Sequence, residues 1–233
     1  MESENGYKIL QIKDLNEIPE HPNWPSEGRI NIKGLSVKYL ANQDCVLKNI
    51  AVSILPCEKI GVIGRTGSGK STLINALLRI LEPFEGSIEI DGVNLQNIFT
   101  RTIRKKISVI SQESCLFEGS IKRNLDPTGI HSDEELWIAL EKCQMIKKIE
   151  EFGGLQGEIN KNGENMSAGE KQLISIARAL LKESKIVLID EATASIDMKT
   201  EVLIQETIRK SFANCTVITI AHRLSTIKSS DRI

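Results

Sequence analysis

The sequence predicts an α/β fold in which a mostly parallel sheet carries a small antiparallel β subdomain and a helical subdomain. Three observations point to it. Ile60-Gly61-Val62-Ile63, Ile186-Val187-Leu188-Ile189 and Val217-Ile218-Thr219-Ile220 are short apolar runs without alternation, as expected of strands covered on both faces. Elsewhere Ile30 and Ile32, then Leu35, Val37 and Tyr39, and further on Ile50, Val52, Ile54, Ile88 and Ile90, alternate with polar residues, as half-buried antiparallel strands do. Between Ser132 and Leu181 the apolar residues recur at helical spacing instead.

Composition bounds what such a fold can do. The 233 residues are 40% hydrophobic and 26% charged, enough to bury a sizeable core. Thirty Lys and Arg against thirty-one Asp and Glu give a formal net charge of -1, so nothing draws the chain in bulk to nucleic acid or anionic lipid. Cys45, Cys57, Cys115, Cys143 and Cys215 are odd in number and form no CxxC pair, which fits a reducing compartment. The acidic start lacks the basic-then-apolar pattern of a secretory signal. A bilayer span needs about 20 mostly apolar residues, and the run ending at Ile189 stops at Asp190.

In chain order, residues up to about Gly28 read as an extended connector with Pro19, Pro22 and Pro25 around Trp24, which is expected to pack on the domain surface. The change of parity at Gly34 predicts a bulge, and Asp91-Gly92 a turn. A helix is expected through Leu73, Ala76, Leu77 and Ile80, and a strand at Ile107-Ser108-Val109-Ile110. Arg101, Arg104, Lys105 and Lys106 read as a solvated face. Ser132 with Glu135, and Ser167 with Glu170, have the spacing of capping boxes. The second opens a helix whose buried stripe is Leu173, Ile174, Ala177 and Leu180.

Gly64-Arg65-Thr66-Gly67-Ser68-Gly69-Lys70-Ser71 matches G-x-x-x-x-G-K-[ST] between a buried strand and an apolar helix, the context of a P-loop NTPase core. The glycines let N–H groups converge on phosphate oxygens, the helix N-terminus adds its positive end, and Lys70 reaches the terminal phosphates. Ser71 would hold magnesium through its hydroxyl, and Thr72 continues the turn. A second strand delivers Asp190 toward the magnesium shell and Glu191 to where an attacking water is held. Taken alone, carboxylates ending a strand are usually solvated turn formers and the signal is weak; paired with the cradle it becomes strong.

In carrying these motifs, residues from about Arg29 onward resemble the nucleotide-binding domain of the ATP-binding cassette (ABC) superfamily. Met166-Ser167-Ala168-Gly169-Glu170 is similar to its L-S-G-G-Q signature and lies upstream of Asp190-Glu191, as in that family. The resemblance implies ATP and Mg2+ as cofactors. It implies Tyr39 as the aromatic that stacks on adenine, and Gln112 as the glutamine linking metal to transport partner. Ala194-Ser195-Ile196-Asp197 would be the D-loop and His222 the switch histidine at the γ-phosphate. It also implies a head-to-tail dimer with a second nucleotide-binding domain, so that Ser167 and Gly169 serve the nucleotide held by the partner's cradle. The segment from Leu116 to Pro127, with residues 203–209, resembles the second nucleotide-binding domain of C-subfamily (multidrug-resistance-associated) exporters. On that resemblance, residues 1–28 are a link from membrane domains and 29–233 the nucleotide-binding domain, its helical subdomain at about 113–180 and its C-terminus truncated. The whole would sit at the cytoplasmic face of a membrane, with transmembrane domains as partners and no nucleic acid.

The sequence departs from the family at Met166, Ala168 and Glu170, and has Ser114 where many relatives carry proline. A carboxylate at 170 opposes a phosphate unless its charge points back into the helix cap. Two other functions use the same cradle. DNA-repair and chromosome-condensation ATPases insert a long coiled coil between cradle and signature, and the interval from Gln112 to Ser167 is too short and carries no sustained heptad. A non-hydrolysing regulatory module is opposed by Glu191 and His222.

Overall fold

The computed structural model describes residues 23–40, 44–190, 196–221 and 224–233. From the N-terminus the elements are β1 (Ile30–Val37), β2 (Leu47–Ile54), β3 (Lys59–Ile63), α1 (Lys70–Leu77), β4 (Glu85–Ile90) and β5 (Val93–Asn94). There follow α2 (Thr100–Lys106), β6 (Ile107–Ile110), β7 (Gly119–Ser120), α3 (Ile121–Leu125), α4 (Asp133–Lys142) and α5 (Ile146–Glu151). The last are β8 (Glu158–Ile159), α6 (Ala168–Leu181), β9 (Ile186–Asp190), α7 (Met198–Ser211), β10 (Thr216–Ala221) and α8 (Leu224–Ile227).

The alternating segments form an antiparallel sheet of order β2-β1-β4-β5, and the unalternating ones a parallel sheet of order β3-β10-β9-β6. The bulge falls where parity changes: the β1–β2 register shifts between Ile32 and Leu35, with Gly34 at φ +58°. Successive residues of the parallel strands enter different cores, which is why those strands show no polar face. Leu188, Ile218 and Ile220 pack with β1, β4 and α1, while Val187, Ile189 and Val217 pack with α4 and α6.

Two features differ from expectation. Trp24 is only 6% exposed within the first core, and its Nε1 donates to the Ile90 carbonyl at 2.9 Å. The chain beside it is held by Asp91, whose carboxylate accepts the N–H groups of Ser26, Glu27, Gly28 and Arg29 at 2.7–3.1 Å. Helix α1 stops at Leu77, leaving Ile80 57% exposed. Arg79 turns there into a left-handed conformation and donates Nη1 to the carbonyls of Leu95 and Ile98. Arg104 is exposed, as a solvated face requires, and also donates to the Leu78 and Arg79 carbonyls at 3.1 and 3.0 Å, where the C-terminal end of α1 attracts a cation.

The region from β7 to α6 forms a helical unit whose core, including Leu136, Leu140, Ile149 and Ile174, is continuous with one face of the parallel sheet. Arg178 on α6 donates to the Cys115 carbonyl at 2.7 Å and to Asn124 Oδ1 at 3.0 Å. Asp126 accepts the N–H groups of Thr128, Gly129 and His131 at 2.8–3.0 Å and faces His131 Nδ1 at 3.0 Å, and His131 Nε2 meets the Leu181 carbonyl at 3.1 Å. These contacts seat the unit on the last turn of α6.

Candidate phosphate-binding site

The cradle begins where β3 ends. Gly69 is the N-cap of α1 at φ +92°, a left-handed conformation that favours glycine, and a Cβ there would lie 2.8 Å from Leu47 Cδ2. The α1 N-terminus has no side-chain cap and no acidic residue in its first turn. A helix end built this way keeps its first N–H groups and its positive dipole end for an anion. Lys70 is 8% exposed, and its ammonium donates to the carbonyls of Gly64 at 2.8 Å and Arg65 at 3.2 Å. The cation is therefore held over the loop rather than spread in solvent. Ser68 closes the turn through its N–H to the Arg65 carbonyl at 3.1 Å.

Tyr39 is anchored through its hydroxyl to Thr72 Oγ1 at 3.0 Å, yet the residue is 50% exposed. The ring is pinned at one end and accessible elsewhere, as a stacking platform requires. Tyr39, Thr66, Gly67, Gly69, Lys70, Ser71, Thr72 and Gln112 line one cleft of about 530 Å³, a volume typical of small-ligand sites. Val46 lines it too. It is one residue before β2 and no motif marks it. Its side chain lies beside Gly69, a contact between distant residues that the sequence does not signal.

The parallel register brings Asp190 and Gln112 to the same edge. Val62, Ile220 and Asp190 lie in one row, so Asp190 ends its strand one residue short of the row of Ile63, after which the cradle begins. Gln112 follows β6, whose Ile110 pairs with Ile189. The edge is the carboxyl end of every strand in the sheet, where open α/β sheets bind ligands. Ser71, Gln112 and Asp190 offer a hydroxyl, an amide oxygen and a carboxylate, hard donors suited to Mg2+, which is commonly held by one or two carboxylates plus substrate phosphates. Among the described residues no group of three or more His, Cys, Asp or Glu could hold a metal ion. Glu191, Ala194, Ser195 and His222 lie outside the described residues.

Ser167 and Gly169 stand apart from the cradle. None of the described residues lining the cleft comes from α6. Ser167 caps that helix: its hydroxyl accepts the Glu170 N–H at 3.2 Å, and Glu170 Oε2 accepts the Ser167 N–H at 2.7 Å. The charge at 170 thus points back into the cap, and Glu170 Oε1 also meets Lys148 Nζ at 3.3 Å. Burial raises the affinity of this carboxyl for its proton, but the Ser167 hydrogen bonds and the Lys148 ammonium outweigh it and hold the group below the usual carboxylate range. Gly169 is buried against α7, where a Cβ would overlap Thr200 Cγ2. The Ser114 hydroxyl and the Ser111 carbonyl both bond the Gln172 side chain, tying the loop after Gln112 to α6.

A buried lysine over a glycine turn, an uncapped helix end and a parallel-sheet edge together define a P-loop nucleotide-binding domain. The profile of the ABC transporter family matches residues 47–194, and the chain belongs to that family. It is 48% identical to human ATP-binding cassette sub-family C member 2 over 91% of this chain and 14% of that protein. It is also 48% identical to Bile pigment transporter 1 of Saccharomyces cerevisiae, over 91% of this chain and 15% of the relative. The solved structure of a bacterial Atm1-family ABC exporter with ATP bound matches with a TM-score of 0.81 at 31% identity, over 88% of this chain and 36% of that one. The chain thus spans less than a fifth of the length of these two curated relatives.

Proposed function

We propose that this chain is the ATP-binding and ATP-hydrolysing domain of an exporter of the C-subfamily kind, acting as a head-to-tail pair with a second nucleotide-binding domain. The observation that carries the reading is the cradle: Lys70 buried over the Gly64 and Arg65 carbonyls, beside an uncapped α1 N-terminus and a half-open Tyr39 ring. Adenine would stack on Tyr39, with the phosphates wrapped by the N–H groups of residues 64–72 and by Lys70. Ser71, Gln112 and Asp190 would hold Mg2+, which when bound neutralises charge on the phosphates.

Glu191 would orient and deprotonate the attacking water, while His222 contacts the γ-phosphate. Lys70 and a partner's α6 end would stabilise charge developing on the transferred phosphoryl group. The separation of Ser167 and Gly169 from the cleft supports the paired arrangement, because their helix end serves a nucleotide only if that nucleotide belongs to another copy. No helix among the described residues is long and apolar enough to cross a membrane, so transmembrane partners would supply the path for cargo and place this domain at the cytoplasmic face.

Replacing Glu191 by Gln tests the assignment. ATP binding by calorimetry is expected to persist, while phosphate release falls by about 10²–10⁴-fold, the usual contribution of a general base. Unchanged turnover would remove Glu191 from the mechanism.

A further inference from the structure

We infer that Lys148 is a positioning residue for the anion-binding end of α6, supplying the charge that Glu170 takes away. The inference rests on the proposed pairing of that helix end with the phosphates of a nucleotide held by another copy. A helix N-terminus carries the equivalent of about +0.5 elementary charge. A carboxylate at the third helical position brings the same end to about -0.5, the wrong sign for a polyphosphate. Adding the Lys148 ammonium raises it by one unit, less the share of that charge taken by the more distant Glu151 carboxylate at 3.6 Å.

The geometry fits that role. Lys148 comes from α5, a different element from the helix it serves, and its Nζ lies 3.3 Å from Glu170 Oε1. The opposite carboxylate oxygen, Oε2, is engaged by the Ser167 N–H, so the cap and the countercharge use separate lone pairs. Glu151 approaches the same ammonium, more distantly at 3.6 Å, and the Phe152 ring lies 5.3 Å away, so the lysine is held from three sides. Glu170 is the more enclosed partner, with 23% of its side chain exposed against 38% for Lys148, and solvent alone does not neutralise it. The pair also explains how the helix tolerates a carboxylate at this signature position: its hydrogen bonds complete the cap, and its charge is answered from a neighbouring helix.

A double-mutant cycle on the full-length polypeptide carrying this domain tests the idea, with steady-state ATP hydrolysis as the readout. Lys148→Met is expected to raise the ATP concentration for half-maximal turnover by about fivefold, the effect of losing a unit-charge attraction of about 1 kcal/mol. The effect should grow at low ionic strength. Adding Glu170→Gln to that variant is expected to bring the value back toward that of the unmodified protein, because the two charges act on the phosphate with opposite sign. A Lys148→Met defect that Glu170→Gln does not reverse, or no defect at low salt, overturns the inference. Thermal melting of each variant separates a lost fold from a lost charge. Lys70→Ala in parallel separates the two claims: if it abolishes turnover while the cycle is flat, only the role of Lys148 falls. If turnover survives Lys70→Ala, or the unmodified protein has none, the underlying reading falls as well.

Discussion

Gly169 shows how one residue answers two demands. Its place in the signature is legible in the sequence, and so is a role for its N–H in meeting an anion. What the sequence hides is Thr200, which arrives from α7 and leaves no room for a Cβ. Gly169→Ala is therefore expected to destabilise the fold by about 1–3 kcal/mol through overpacking, measured by urea unfolding. Thr200→Ala in that background should recover most of the loss; failure to recover would mean that the backbone of α6, not the contact, is at fault. Asp126 illustrates the same point with charge. Burial opposes its ionised form, but hydrogen bonds from Thr128 and His131 prevail and hold its carboxyl far below the ordinary value of 3.8. A carboxylate depressed by folding contributes its stabilisation in full above the unfolded value and loses it as pH falls toward the native one. Asp126→Asn should therefore lower stability by about 2 kcal/mol at pH 7, with the gap to the unmodified chain closing below about pH 4. A gap independent of pH would assign the effect to shape alone.

Elements were readable from sequence where the cause is local. Both capping boxes form, because Ser132 with Glu135 and Ser167 with Glu170 need only a three-residue spacing and a following apolar stripe. Removing the α6 cap by Ser167→Ala should cost about 1 kcal/mol, and turnover should fall by more than that loss of stability explains if the helix end meets phosphate. An activity loss that merely tracks the melting temperature would restrict Ser167 to capping. Elements were misread where a distant partner sets the outcome. Helix α1 ends before Ile80 because Arg79 leaves helical geometry to bond the carbonyls of Leu95 and Ile98. The segment around Trp24 belongs with β4 because Asp91 gathers four of its N–H groups and Ile90 takes the indole. Neither partner leaves a periodic trace.

At the scale of the molecule, the parallel sheet is the device that assembles the site. Four strands share one direction, so the cradle after β3, Asp190 at the end of β9 and Gln112 after β6 reach one edge although they lie far apart in the chain. The P-loop and the strand ending in Asp190 made that edge legible in advance. The seating of the helical unit was not, because it depends on Arg178, Asp126 and His131 meeting backbone carbonyls and side chains across loops. If two copies complete each site, phosphate released per chain should rise with chain concentration, and a constant specific activity would point to a self-sufficient monomer. The central claim is tested most directly by calorimetric titration of the purified chain with Mg-ATP, beside Lys70→Ala shown by melting to be folded. The account predicts one nucleotide per chain and its loss in the variant. Undiminished affinity after removal of the Lys70 ammonium would contradict it.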